Sequence, residues 1–447
     1  MTIYSSSART LACTVAAATC LVGLGASSAV VAPAAVAFES APFASVKGQT
    51  ITVVMEGGST STPDIQKLLP QFERATGIHV NYDVIPYDSL TSRVLLDFSS
   101  QQSSPDVVFD DWAYGRQFAT DHYIVPLNSF ERTAQQFVQP KDFVQSYLST
   151  MQLNGAQYGL PVYGETTLLI YNKADFKKYG IARPPATMQE LARDAQLIST
   201  RSGGKVAGYS SRGAPGIQSV YIYAGFLRAF GGHWYRNGRP DVNSPAAVKA
   251  ATFYANLLRQ SGPPGVANFE FSQNQEALCA GQVAMSIDAD GLAALCEDPS
   301  QSQVVGQLGF APVPYAAGQK PVGANTNHSL EVHGLYLSRY SKHKLAAWDF
   351  MQWATNPKVQ IAELRDQPQP GVTANAAVDS AIFVKQYGSF RSEMLNQLVT
   401  GNPRYLPAGI DSNAMITDVG QAVNSVIAGG GSASQALNTA QKQITGP

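Results

Sequence analysis

The sequence predicts an α/β protein of two linked globular units, and three observations carry that expectation. Segments with strand and helix patterns alternate from residue 51 onward. The stretch Tyr158 to Phe176, YGLPVYGETTLLIYNKADF, joins a Gly/Pro-punctuated segment to the apolar run 166–171 and then to polar Asn172-Lys173. Such a pattern belongs to a chain leaving one unit and entering a strand of another, so a hinge is expected there. The chain is also long enough, at 447 residues with 45% hydrophobic and 14% charged, to bury more than one core.

Residues 1–37 differ from all that follows: Arg9 is the only charge, a small-apolar run extends from Leu11 to Leu24, and the segment ends Ala35-Val36-Ala37. This composition predicts a secretory signal peptide cleaved before Phe38. Gly23, Gly25 and Ser27-Ser28 interrupt the run before the roughly 20 residues a membrane span needs. Without Arg9 the chain keeps 30 basic and 32 acidic residues, a formal charge of −2. That balance argues against a nucleic-acid or anionic-membrane partner. Cys279 and Cys296 then remain in a chain bound for an oxidising compartment, where a disulfide and two buried thiols are both open readings.

In chain order, Ile51–Met55 reads as a buried strand ending in the loop Glu56-Gly57-Gly58-Ser59-Thr60. Thr62-Pro63 opens a helix with Ile65, Leu68, Leu69 and Phe72 on one face, and Gly77 stops it. Ile78, Val80, Tyr82 and Val84 alternate as a second strand, completing the unit of a parallel sheet. A helix around 90–98 leads to Pro105–Trp112, a short strand that delivers Asp110, Asp111 and Trp112 at its carboxyl end. After the crossing, Thr187-Met188-Gln189-Glu190 is a capping box, and an aromatic-rich helix over 221–230 precedes Trp234. Asn243-Ser244-Pro245 starts a long helix, and the apolar segment 282–291 ends in Asp288, Asp290 and Gly291. Residues 333–337 read as a return crossing, and 342–357 as a helix with Trp348 and Trp353 in the core.

Several of these segments resemble the extracellular solute-binding protein family 1, the maltose-binding-protein-like receptors of sugar ABC importers. The resemblance rests on Tyr158-Gly159-Leu160-Pro161 with Glu165 and Leu169–Phe176, and on Asp106-Val107-Val108-Phe109-Asp110-Asp111 with its continuation to Leu127. It extends to Phe230-Gly231-Gly232-His233-Trp234 with Asn243-Ser244-Pro245, to Gln282–Met285, and to KHKLAAWDFMQWATNP at 342–357. His122-Tyr123 replaces the glycine usual in that continuation. The resemblance implies a two-lobed periplasmic-binding-protein type II fold: lobe 1 from 38–163 and 325–370, lobe 2 from 164–324 and 371–447. It further implies a periplasmic receptor that closes on a sugar or sugar alcohol and delivers it to an ABC transporter membrane permease. Ile85-Pro86-Tyr87-Asp88 and Asp110-Asp111 look most like the polyol-binding branch.

A neutral polyhydroxyl ligand needs carboxylates that bond vicinal hydroxyls and aromatic rings that cover C–H faces. In open α/β sheets ligands lie beyond the carboxyl ends of strands. The expected ligand-binding residues are therefore Glu56, Asp110, Asp111, Trp112, Tyr163, Glu165, Trp234, Asp288, Asp290, His333 and Arg365. A polyamine receptor of the same fold would want acids and aromatics too. The rival from another class is a secreted glycoside hydrolase, which requires two carboxylates facing each other across about 5 to 9 Å. Adjacent Asp110 and Asp111 point to opposite faces of a strand and cannot form such a pair, although Asp111 with Glu165 could. Nucleophile-elbow, zincin and phosphate-loop motifs are absent and the six histidines are scattered, so neither catalysis, cofactor nor metal is expected, and the protein is expected to be a monomer.

Overall fold

In the computed structural model the main strands sort into two separate sheets, beside two short hairpins at 152–157 and 235–240. The structure describes residues 45–57, 59, 61–101, 105–133, 138–319, 326–365, 371–408 and 411–446. The expected leader over residues 1–37 lies outside them, as do residues 320–325 and 366–370 at two of the expected lobe boundaries.

The main strands in chain order are β1 Thr50–Gly57, β2 His79–Pro86, β3 Val107–Asp111, β4 Gly159–Glu165, β5 Thr167–Asn172, β6 Met285–Ala289, β7 Leu308–Ala311 and β8 Glu331–Leu337. Five form one sheet in the order β2-β1-β3-β8-β4. In it β1 pairs parallel with β2 and β3, while β8 runs antiparallel to β3 and β4. The second sheet is β6-β5-β7, antiparallel throughout. The chain thus leaves the first sheet at Glu165 and enters the second at Thr167. Thr166 is fully buried at that passage, its hydroxyl bonded to the carbonyl of Ser329 just before β8.

The parallel part of the first sheet follows from strand–helix alternation. Helix α1, Ser61–Thr76, buries Ile65, Leu68, Leu69 and Phe72, the face expected from its 3.6-residue period. Helix α2, Tyr87–Ser100, links β2 to β3, and α3, Trp112–Thr120, starts directly after Asp111. Strand β2 is the sheet edge, which leaves Val84 42% exposed on an otherwise half-buried alternating strand. Helix α9, Lys344–Ala354, closes the far side, where Trp353 packs 5.0 Å from Phe72 and both Trp348 and Trp353 are core residues.

Around the second sheet, α4, Met188–Arg201, carries the capping box in full: Thr187 accepts from the Glu190 amide and Glu190 accepts from the Thr187 amide. Helix α5, Ile217–Ala229, is buried on nearly all sides against α6, Pro245–Ser261, whose start is capped by Ser244. Helix α7, Phe271–Cys279, precedes β6, and α8, Asp290–Cys296, follows it. The strand therefore stops at Ala289, and Asp290 opens a helix instead of ending the strand. Cys279 and Cys296, at the last residues of α7 and α8, are joined in a disulfide with Cα atoms 4.8 Å apart.

Candidate functional site

Strand register brings the site together. His333 of β8 lies opposite Asp111 on one side and opposite Tyr163 on the other, and Glu331 lies opposite Glu165. Asp111, His333 and Tyr163 thus form one row across three adjacent strands. Because side chains alternate, Asp110 points to the other face; its pairing partner there is Gly334. A bulge between His333 and Gly334 interrupts the β8–β4 pairing beside this row.

These side chains line a cavity of about 540 Å³. The first sheet contributes Glu56, Asp111, Tyr163, Glu165, Glu331 and His333, with Tyr87 at the start of α2. Elements around the second sheet contribute Arg212, Tyr221 of α5, Phe271 and Gln275 of α7, and Gly291 of α8. Close approach demands glycine at two positions beside Tyr163: a Cβ on Gly371 would lie 2.1 Å from its ring, and one on Gly291 would lie 2.7 Å from its hydroxyl.

His333 is the hub. Its Nδ1 is 2.9 Å from Glu56 Oε2 and its Nε2 is 2.9 Å from Asp111 Oδ1. Burial works against the charge on the imidazole, but the two carboxylates outweigh it and hold His333 well above the ordinary histidine range. Burial also opposes charge on Asp111; protonated His333 and the Tyr87 hydroxyl, which donates to Oδ2 at 2.6 Å, win, and Asp111 titrates below its usual value. Glu56 and Glu331 are raised chiefly by burial, with neighbouring carboxylates adding to it. Glu165 accepts from the Tyr163 hydroxyl at 3.1 Å. The first-sheet wall is therefore a buried set of carboxyls around one imidazolium, able both to donate and to accept toward hydroxyl groups.

The opposite wall is built on a buried ion pair. The Arg212 guanidinium forks onto Asp288, with its Nε 3.0 Å from Oδ1, while Asn274 donates to the other carboxylate oxygen at 2.7 Å. The guanidinium lies between the rings of Tyr221 and Phe271, 4.7 and 4.8 Å from their centroids. Burial opposes the Arg212 charge, and Asp288 more than restores it.

Of the residues singled out in the sequence, Glu56, Asp111, Tyr163, Glu165 and His333 line this cavity. The other six do not. Asp110 is fully buried behind β3, accepting from the Thr91 hydroxyl and the Asp111 amide. Trp112 starts α3 and stacks on Tyr336 with centroids 6.2 Å apart. Trp234 donates to the Tyr405 carbonyl and lines a separate chamber. Asp288 holds Arg212 from beneath, and Asp290, fully buried, donates its amide to the Thr166 carbonyl. Arg365 is exposed just past the helix Pro357–Glu363. Sequence reasoning missed Arg212, Tyr221, Phe271 and Glu331 as site residues. Tyr87 lies in the segment 85–88 that carried the polyol resemblance, whereas Arg212 sits in an unpatterned loop that gave no signal. Among the described residues no group of three or more His, Cys, Asp or Glu could hold a metal ion.

Comparison with known proteins gives a consistent picture. Residues 58–361 match the model of the bacterial extracellular solute-binding protein family. A probable amino-acid ABC transporter periplasmic-binding protein of Sinorhizobium fredii is 28% identical over 297 residues, 64% of this chain and 64% of that protein. The chain thus spans just under two thirds of that relative's length. An ABC transporter solute-binding protein of Agrobacterium radiobacter, solved with ribitol, aligns with a TM-score of 0.81 at 25% identity, covering 88% of this chain and 98% of that one. One from Agrobacterium vitis with bound D-mannitol has a TM-score of 0.79 at 24% identity over 89% and 97%, a likeness of two-lobed α/β folds.

Proposed function

The chain belongs to the bacterial extracellular solute-binding protein family, and from that premise we propose that it captures a sugar or sugar alcohol between its two sheets and delivers it to an ABC transporter permease. The observation that carries this reading is the row Asp111–His333–Tyr163 on one wall facing Arg212, Tyr221 and Phe271 on the other. A ligand there bonds to carboxyls and an imidazolium from one sheet and lies against aromatic rings from elements of the other. Contact with both walls is what lets a ligand favour a closed state. The cavity volume, about 540 Å³, suits a small solute.

In this reading the lobes are 38–163 with 325–370 and 164–324 with 371–447, and residues 1–37 direct export to the periplasm and are removed. The protein works as a monomer and performs no chemistry on its cargo. Ribitol and D-mannitol in the two aligned structures favour a linear polyol over a polyamine.

The test is thermal unfolding of the purified mature protein against hexitols, pentitols, mono- and oligosaccharides and polyamines. A ligand that binds only the folded state raises the midpoint by mass action. A shift with one polyol or sugar, recovered chemically unchanged, is the expected result. A shift only with polyamines, or recovery of cleaved product, would overturn the reading.

A further inference from the structure

A second cavity, of about 400 Å³, adjoins the first, and Leu406 lines both. Its chemistry is the reverse of its neighbour's. Three guanidiniums converge on it: Arg116 from α3, Arg228 from the last turn of α5, and Arg404 from the loop before Tyr405. His233, Trp234 and Tyr235 complete most of the wall. Among the described residues, no carboxylate lines the chamber. The acids that act on its lining residues stand outside it: Glu331 acts on Arg116 from the first cavity, Asp411 acts on Tyr235, and Asp241, paired with Arg236, acts on His233.

Neutral acceptors hold Arg228 in place. Arg228 donates through Nη1 to His233 Nδ1 at 2.9 Å and through Nη2 to the Arg404 carbonyl at 3.0 Å. The Arg116 guanidinium lies 5.5 Å from the Trp112 ring centroid. Buried Nε atoms of both Arg116 and Arg228 have no partner, and neither has the buried hydroxyl of Tyr235. Burial first, and then repulsion from Arg404, lowers both guanidiniums, Arg228 to about 10. Three unneutralised cations with donors to spare around a cavity are the furnishings of an anion site, because guanidinium forks match the geometry of phosphate oxygens.

We infer that this chamber binds a phosphate group, held by Arg116, Arg228 and Arg404. The inference does not depend on which neutral solute fills the first cavity. Inorganic phosphate and a polyol phosphate share the chemistry, and the shared Leu406 wall makes room for both: a separate ion, or the charged end of a cargo whose hydroxyls lie in the first cavity.

The experiment is titration calorimetry of the full mature protein with inorganic phosphate, against chloride at matched ionic strength, and with a hexitol phosphate. Wild type is expected to bind phosphate saturably, and Arg404→Gln, at an exposed side chain whose loss leaves the fold intact, to bind about tenfold more weakly. Arg116→Gln, at a half-buried position, should do the same. A hexitol phosphate that binds more tightly than inorganic phosphate makes the anion part of the cargo, while equal binding makes it a separate ion; either supports the site. Phosphate binding no better than chloride, or unchanged in both variants, would overturn it.

Discussion

His333 and Asp111 are direct cross-strand neighbours in register, and their side chains meet as well, with Nε2 2.9 Å from Oδ1. The first wall of the cavity is therefore fixed by backbone pairing before any ligand arrives. With Glu56 on the other ring nitrogen, the imidazole has no freedom to turn and is held protonated. The same contact ties the end of β3 to β8, segments more than 200 residues apart in sequence.

That protonation has a signed consequence for stability. The folded-state pKa of His333 lies well above the unfolded value of about 6.5, so its stabilisation is complete below that pH and is lost as pH rises toward the folded pKa. The difference in melting midpoint between wild type and His333→Gln should be largest near pH 6 and should shrink as pH is raised toward 9. A difference that grows with pH would mean that the imidazole is neutral in the folded protein.

Arg212 and Asp288 should act as a unit although only Arg212 reaches the cavity. Replacing one member of a buried pair leaves the other charge uncompensated, at a cost of about 3 kcal/mol. Asp288→Asn should therefore lower the urea midpoint and also weaken polyol binding, since the guanidinium loses the fork that sets it between Tyr221 and Phe271. If Asp288→Asn unfolds and binds like wild type, the pair has no such role.

Glu165 sits at the passage between the sheets, on the cavity wall, with Tyr163 as its partner. Glu165→Ala removes a charged hydrogen-bonding group and should weaken binding tenfold or more, about 1.5–3 kcal/mol, without a cooperative loss of fold. Calorimetry with the ligand identified by thermal unfolding would read this. Unchanged affinity would take Glu165 out of the site.

Much of this architecture could be read in advance, for local reasons. The face of α1, the capping box at Thr187 and Glu190, and the passage at Thr166 are written in adjacent residues. Strand ends flagged Glu56 and Asp111, which line the cavity. What periodicity cannot give is which of two adjacent acids faces the cavity, and so Asp110 was expected in the site and lies behind the sheet. Asp288 was misread for a related reason: a buried strand-end carboxylate can serve a partner instead of a ligand, and its partner Arg212 is 76 residues away in the chain. His333 gave only a weak signal, because its importance comes from Glu56 and Asp111, which register alone brings beside it.

The disulfide offers a test that does not depend on the ligand. Cys279 and Cys296 close a 17-residue separation, linking the ends of α7 and α8 on either side of β6. Constraining a loop of that size in the unfolded chain stabilises by about 3 kcal/mol. Both cysteines are buried, so the paired Cys279→Ala/Cys296→Ala variant should fold with a lower midpoint. Reductant should lower the wild-type midpoint and leave that of the variant unchanged. Equal sensitivity of both to reductant would argue against the bond.

His328 should produce a pH dependence opposite to that of His333. It is buried beside Thr400, with Nε2 3.0 Å from the hydroxyl, and has no carboxylate to compensate for desolvation. Burial lowers its pKa to about 4, below the unfolded value of about 6.5. Between these limits the unfolded chain binds more protons, so this histidine adds stability above pH 6.5 that is lost as pH falls toward 4. By pH 4.5 the loss amounts to about 2 kcal/mol. Glutamine at 328 can keep a hydrogen bond to Thr400 but cannot titrate, so His328→Gln should lose less stability than wild type between pH 7 and 4.5. Urea unfolding at the two pH values measures the difference directly, and parallel losses would show that His328 accepts a proton in the folded protein as readily as in the unfolded chain.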